Sequence, residues 1–326
     1  MKIGSIDITN PRIGLTQINK VFIGLDKVWP NIDSEFIFTI DTSLGDGLAE
    51  FEFNPSNGGF VDYIIDWGDS TSTNVSTNGA TNHVYSTGGI YQVKIEITSG
   101  INNYNFNASA DKLKLISVDN WGAYLLGFGG TNMFRFCTNL LTVPLTPPPV
   151  SLNHRGMFSF CSSLNSDFND YVFTGTMEEV FRSCSSLNGS FTNVDTTSVT
   201  NFQRAFAACS SFSGSNDLSS ITFESASTLW RCFRNCTNLD FGGLSSPTNA
   251  ATLDLTFQNT SLSNTNYRLM LNAFTGWNGT TATKTLQNNV PAHFGIAKYE
   301  IGGESEDIRN YLTGTLGWTI TDGGGI

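Results

Sequence analysis

Two hydrophobic patterns divide the chain. Between residues 35 and 100 apolar and polar positions alternate: Phe36, Phe38 and Ile40, then Phe51 and Phe53, then Tyr91, Val93, Ile95 and Ile97. A period of two puts successive apolar side chains on one face of a strand, so the stretch predicts a β-sandwich. From Met133 to Thr260 a recurring phrase takes over: Met-Phe-Arg-Phe-Cys-Thr-Asn-Leu, Met-Phe-Ser-Phe-Cys-Ser-Ser-Leu, Val-Phe-Arg-Ser-Cys-Ser-Ser-Leu, Ala-Phe-Ala-Ala-Cys-Ser-Ser-Phe and Cys-Phe-Arg-Asn-Cys-Thr-Asn-Leu. Its anchors are Phe134, Phe158, Phe181, Phe206 and Phe233, with Phe257 in a degenerate last copy, at separations of 24, 23, 25, 27 and 24 residues. A fixed period of this length predicts a solenoid. Phe and Cys three apart share one face of a helical turn. With brief apolar alternation such as Ile221 and Phe223 between copies, each coil is expected to be a short helical turn plus a short strand. No coil buries its apolar face alone, so neighbours must stack.

Both ends carry patterns of their own. Ile3-Gly4-Ser5-Ile6-Asp7-Ile8, Ile13-Gly14-Leu15-Thr16-Gln17-Ile18 and Ile23-Gly24-Leu25-Asp26-Lys27-Val28-Trp29 repeat at a ten-residue interval. Three short strands joined by tight turns are expected there. About thirty residues do not hold such a sheet unaided, so the segment is expected to complete a sheet or assembly supplied by other chains. The alternative is a β-cap on the chain's own sandwich. Asn266 to Phe274 has helical spacing, and the tail ends in Leu316-Gly317-Trp318-Thr319-Ile320-Thr321-Asp322-Gly323-Gly324. Glu304, Glu306 and Asp307 read as a solvated helix start.

Several of these phrases resemble known families. The copies, with Asp195 to Phe202 leading to Phe206 and Cys209, resemble the BspA-like leucine-rich repeats of bacterial surface proteins, particularly the variant of mycoplasma lipoproteins. Asp66-Trp67-Gly68-Asp69-Ser70-Thr71, His83-Val84-Tyr85 and Gly88 to Val93 look like a PKD domain, an immunoglobulin-like fold, with Ser70 where that signature has a second glycine. The ten-residue repeat resembles N-terminal docking modules of bacteriophage tail and virion proteins. The tail resembles endings that close the last coil in BspA-like proteins. The expected fold is mainly β with short helices. An N-terminal β docking module spans 1–33, a PKD-like sandwich 34–100, a BspA-like solenoid 101–264 and a capping region 265–326.

Cysteine, acid and histidine placement narrows the chemistry. Cys137, Cys161, Cys184, Cys209 and Cys236 fill one repeat slot, where Cys serves as a small buried hydrophobe, so they are expected to form a ladder of thiols rather than disulfides. Cys232 and Cys236 have metal-like spacing, but the three histidines (His83, His154, His293) are scattered, and no metal or cofactor is expected. Asp66 and Asp69 could form a calcium or catalytic pair; the competing reading has Asp69 capping the turn after Trp67 and Asp66 facing solvent. Glu178-Glu179 reads as a solvated face. Arg135, Arg155, Arg182, Arg204, Arg231 and Arg234 fall at or near the turns, each a candidate for a ligand patch and equally a solvated spacer.

Charged residues make up only 14% of the chain and the net charge is −11, which argues against nucleic acid as a partner. No apolar run is long enough to insert in a membrane. No nucleophile elbow, phosphate loop or zinc-protease motif is present, so no enzyme is expected. No hydrophobic export segment precedes the strand-like start, which favours release by lysis within a virus particle. The expected protein is a structural component of a bacteriophage virion surface, in tail fibre, baseplate or head decoration. Its N-terminal repeat (Ile3, Gly4, Ile13, Gly14, Ile23, Gly24, Trp29) would dock to other virion proteins. Its solenoid would meet a host glycan or protein, with homo-oligomerisation left open. The alternatives are a secreted or cell-surface bacterial adhesin and a polysaccharide depolymerase.

Overall fold

The computed structural model describes residues 35–326 apart from 55–61, 77–78, 100–105, 123–129, 149–153, 214–217, 219, 241–252 and 255, together with four short strands ahead of them. The protein is mainly β, with several small sheets and two short helices. The leading strands are β1 (Arg12–Ile13), β2 (Thr16–Gln17), β3 (Val21–Ile23) and β4 (Asp26–Trp29). They form two antiparallel pairs, β1 with β2 and β3 with β4.

The alternating stretch supplies β5 (Phe36–Asp41), β6 (Glu50–Phe53), β7 (Asp62–Asp66), β8 (Ser72–Val75), β9 (Thr81–Val84) and β10 (Ile90–Ser99). With β11 (Leu115–Asn120) they make a five-stranded antiparallel sheet in the order β11-β5-β10-β7-β8 and a two-stranded sheet of β6 and β9. Alternation sends Phe36, Phe38 and Ile40 of β5 and Phe51 and Phe53 of β6 inward. Phe38 meets Phe51 and Phe53 at ring-centroid distances of 5.8 and 6.0 Å, so the two sheets face each other across aromatic rings.

The turn after β7 is pinned by its own carboxylates. Asp66 Oδ1 accepts from the Gly68 amide at 2.9 Å, and Asp69 Oδ1 accepts from the amide and hydroxyl of Thr71. Gly68 has φ +80°, and a Cβ there would sit 2.4 Å from the Gln92 carbonyl oxygen, so backbone approach demands glycine. Ser70 adopts the left-handed conformation itself, at φ 72°. His83 stacks on Trp67 at 4.8 Å and pairs with Asp69 Oδ2 at 2.8 Å, a partnership the sequence did not reveal. The bonds from Thr71 and His83 outweigh burial and hold the Asp69 carboxyl below its ordinary value.

β11 is a seam. On one side it pairs antiparallel with β5; on the other, Ser117 bridges in parallel to Thr142 of the first repeat copy. Beside it lie two short 3-10 turns, Phe106–Ala108 and Lys112–Lys114. The Phe106 ring touches Phe36, Phe38 and Phe53 on one side and stacks on Phe134 at 5.5 Å on the other. One apolar core therefore runs from the sheets into the repeats.

In the repeat region the structure departs from the expected helical turns. Cys137 N–H donates to the Phe134 carbonyl and Arg135 N–H to the Asn132 carbonyl, both three residues back. The alternate N–H groups point sideways: Asn132, Phe134 and Phe136 donate to Arg155, Met157 and Ser159 of the next copy. The pattern repeats from Phe158 to Val180, Phe181 to Ala205, Phe206 to Cys232 and Phe233 to Thr256. Left-handed residues recur two positions after the aromatic, at Phe136, Phe160, Ser183, Ala208, Asn235 and Asn259. An α-helix would keep these N–H groups to itself, four residues back. Here half of them need the neighbouring copy, so the turn cannot be satisfied alone.

Short parallel strands complete the copies: β12 (Val172–Thr176) pairs with β13 (Asp195–Asn201), and Asn201 bridges to Thr228. The small polar residues after each cysteine also link copies, through Ser162, Ser185 and Ser210 hydroxyls donating to the carbonyls of Thr138, Ser162 and Ser185.

The far end is closed by α1 (Asn264–Thr275), β14 (Pro291–His293), α2 (Glu304–Gly314) and β15 (Thr319–Thr321). Ser263 caps α1 through the Asn266 amide, and left-handed Gly276 ends it. Tyr267, Met270, Leu271 and Phe274 form its buried stripe. β14 and β15 pair in parallel, and Phe294 stacks on Phe257 at 5.8 Å. Glu304, in the first turn of α2, is tied to Arg268 and Asn272 of α1.

Candidate functional site

The repeat phenylalanines form one continuous ring stack. Phe134, Phe158, Phe181, Phe206, Phe233 and Phe257 follow one another at 5.4–5.7 Å with nearly parallel planes. Phe106 and Phe294 extend the stack by a ring at each end. Neither carries the Phe-x-x-Cys phrase, and stacking alone reveals them.

Cys137, Cys161, Cys184, Cys209 and Cys236 lie beside the rings, fully buried, with Cys232 buried nearby. The slot does more than fill space. Cys161, Cys184, Cys209 and Cys236 direct their thiols at the carbonyls of Phe134, Phe158, Phe181 and Phe206, at 2.9–3.0 Å. Each of these oxygens also accepts the N–H of its own copy's cysteine, so the S–H takes the second lone pair and links adjacent coils. Burial raises all six thiol pKa values, that of Cys236 to about 12, which keeps them protonated and able to donate. The expected result with a thiol reagent at pH 8 is no reaction of the native protein within minutes and six equivalents in denaturant. Rapid native labelling of Cys184 or Cys209 would show that the coils are open.

The docking residues divide. Ile13, Ile23 and Trp29 lie in β1, β3 and β4; Ile3, Gly4, Gly14 and Gly24 lie outside the described residues. Asp66 and Asp69 are occupied by their turn. Among the described residues no cluster of three or more His, Cys, Asp or Glu is arranged to hold a metal ion, and no helix is long and apolar enough to cross a membrane.

What the stacking does assemble is a cationic face. Two slots flank each phenylalanine within the turn. The slot two residues before it holds Asn132, Gly156, Glu179, Arg204 and Arg231 in successive copies; the slot after it holds Arg135, Ser159, Arg182, Ala207 and Arg234. Glu179 Oε1 accepts from Arg182 at 2.9 Å and Arg204 at 2.8 Å, and these bonds hold its carboxyl below its ordinary value against burial. Arg155 pairs separately with Glu178 at 3.1 Å. Aromatics steady the guanidiniums. Arg204 and Arg231 lie 4.7 and 4.2 Å from the Trp230 ring, and Arg135 and Arg182 lie over Phe160 at 5.6 and 5.1 Å. Arg182, Arg204, Arg231 and Arg234 converge on a pocket of about 140 Å³ that Ser183, Ala207, Ala208 and Asn235 also line. Partial desolvation, then the neighbouring Arg234 and Arg204, lower the pKa of Arg231.

These features define a mainly β repeat protein whose copies share backbone hydrogen bonds and one aromatic stack. A family model described as "Mycoplasma protein of unknown function, DUF285" matches residues 152–269, the stretch holding the copies at Phe158, Phe181, Phe206, Phe233 and Phe257. Over that stretch the chain is similar to a BspA-like surface protein. No curated protein and no solved structure matches the chain.

Proposed function

We propose that this chain is a non-enzymatic display protein on the outside of a bacteriophage particle. In this reading 1–33 docks to other virion proteins, 34–100 is a PKD-like immunoglobulin-type spacer, 101–264 is a BspA-like leucine-rich-repeat solenoid, and 265–326 caps it. The observation that carries the display role is the ring stack with its inter-copy hydrogen bonds. Such a ladder fixes equivalent side chains of successive copies in columns on one open face, the arrangement repeat proteins use for binding. The ten-residue N-terminal repeat supports attachment to a larger assembly. The solenoid face then meets host glycan or protein, and the chain acts without catalysis.

Antibody against the recombinant chain, applied to purified particles in electron microscopy, tests the location. Regular labelling at the tail or head is expected; labelling of cell envelopes and none of particles overturns it. That second outcome belongs to the alternative, a bacterial surface adhesin, which the mycoplasma family match favours. Release of reducing ends from capsular polysaccharide by the purified chain would instead support a depolymerase.

A further inference from the structure

We propose that the pocket between Arg182, Arg204, Arg231 and Arg234 is a binding site for one oxyanion (a carboxylate, sulfate or phosphate ester) carried by an acidic glycan. The anion site stands on its own geometry; assigning the anion to a glycan rests on the display reading above.

The charge distribution makes the first part of the case. Across residues 115–262 every basic residue other than histidine is an arginine, in a chain whose net charge is −11. Four of those six arginines line one pocket, while Glu179 pairs with two of them and the Asp254 carboxylate acts electrostatically on Arg231. Glu179 is bonded to Arg182 and Arg204 and does not reach the next coil's pair. The side chains of Arg231 and Arg234 make no ion pair or hydrogen bond among the described residues, and the Nε of each is buried without a partner. Guanidiniums set side by side repel, and an anion between them removes that repulsion.

Shape makes the second part. Ala207 occupies the slot that holds Arg182 in one flanking copy and Arg234 in the other, so the missing side chain opens the gap between them. The Trp230 ring beneath Arg204 and Arg231 limits where those two forks can swing. Planar guanidinium forks match the two oxygens of a carboxylate, sulfate or phosphate, which a lysine would not. At about 140 Å³ the pocket is well below the roughly 300–1,000 Å³ of sites that engulf a whole small molecule. It admits one charged group while the rest of the ligand lies along the face. A polymer bearing such groups at intervals is the ligand that this open, columnar face can continue to contact.

The test is calorimetric titration of the full chain with three oligosaccharides, one polyol-phosphate oligomer and one salt. The probes are a sulfated heparin hexasaccharide, a galacturonate hexamer, a glycerol-phosphate oligomer, neutral maltohexaose and sodium sulfate. At least one acidic oligomer is expected to bind more tightly than sulfate alone, and maltohexaose not at all. R231A/R234A is expected to weaken that binding by about tenfold or more, the scale of a lost charge-assisted pair. Ala207→Leu, which fills the gap and leaves every charge in place, is expected to do the same. Arg155→Ala, outside the pocket, is expected to bind as the parent does. Urea midpoints of the variants check folding. The proposal is overturned if no acidic oligomer binds, if the double variant and Ala207→Leu bind unchanged, or if sulfate binds as tightly as every oligomer. Particle labelling and this titration fail independently, because binding is read on the isolated chain.

Discussion

Phe206→Ala is expected to lower the free energy of unfolding by about 3–5 kcal/mol, the range for truncating a buried aromatic. Phe206 is fully buried, stacked at 5.4 Å on Phe181 and at 5.4 Å on Phe233, with Phe212 parallel at 5.1 Å. The space left by the ring cannot close easily. Its own coil is held to the next by Phe206 N–H on the Cys232 carbonyl, and to the previous one by Phe181 N–H on the Ala205 carbonyl. The cost also spreads, because a stack of coils draws its stability from nearest-neighbour contacts. Phe136 provides the comparison: it lies in the first repeat copy but is 38% exposed, so Phe136→Ala is expected to cost about 1 kcal/mol or less. Urea unfolding followed by tryptophan fluorescence separates the two. Equal midpoints for both variants would mean that the ring stack is not the core.

Lys114→Met is expected to cost a similar amount, about 3–5 kcal/mol, by leaving a buried carboxylate without its counter-charge. The Lys114 side chain is 0% exposed, and its ammonium is saturated by Asp111 at 2.7 Å, Asp46 at 2.8 Å and the Glu50 carbonyl at 2.9 Å. Asp111 is itself only 8% exposed and accepts from the Glu52 amide at 2.7 Å, so the cluster ties the loop before β6 to the seam between sheets and repeats. The double variant Lys114→Met/Asp111→Leu is expected to recover most of the loss, since removing both charges removes the desolvation cost as well. A double variant no better than the single one would sink this account.

The pH dependence follows from the same contacts. Burial works against the charged ammonium, but the bonds to Asp111 and Asp46 prevail and raise the Lys114 pKa. This contribution is complete below the unfolded lysine value of about 10.4 and fades as pH climbs through the folded one. Asp46 is held below its ordinary value, chiefly by its hydrogen bond from Lys114. Its share is present above about pH 3.9 and fades as pH falls through the lower folded value. Lys114→Met should therefore flatten both limbs of the stability profile, measured as urea midpoint against pH.

Legibility in the sequence followed interaction range. Strand alternation in β5 and β6 is a local signal, and Phe36, Phe38, Phe51 and Phe53 are buried where a period of two places them. The copy-to-copy spacing was equally plain, because equivalent side chains recur in the chain itself. The conformation of each turn was not. Phe and Cys three apart suit both a helical turn and the hydrogen-bonded turns found here, and the choice depends on where alternate N–H groups go. They go to residues more than twenty positions away, such as Met157 for Phe134. The thiol bonds to phenylalanine carbonyls were hidden for the same reason, since Cys161 answers Phe134 and not its own copy.

The sequence by itself determined the period, the aromatic and cysteine slots, the alternating strands and the low charge density, all properties of neighbouring residues. Tertiary structure alone decided that Phe106 and Phe294 cap the stack, that Lys114 is buried between Asp46 and Asp111, and that Arg182, Arg204, Arg231 and Arg234 share one pocket. The physical reason is stacking. Residues a full copy apart in the chain come within contact distance only when each coil completes its hydrogen bonds on the next.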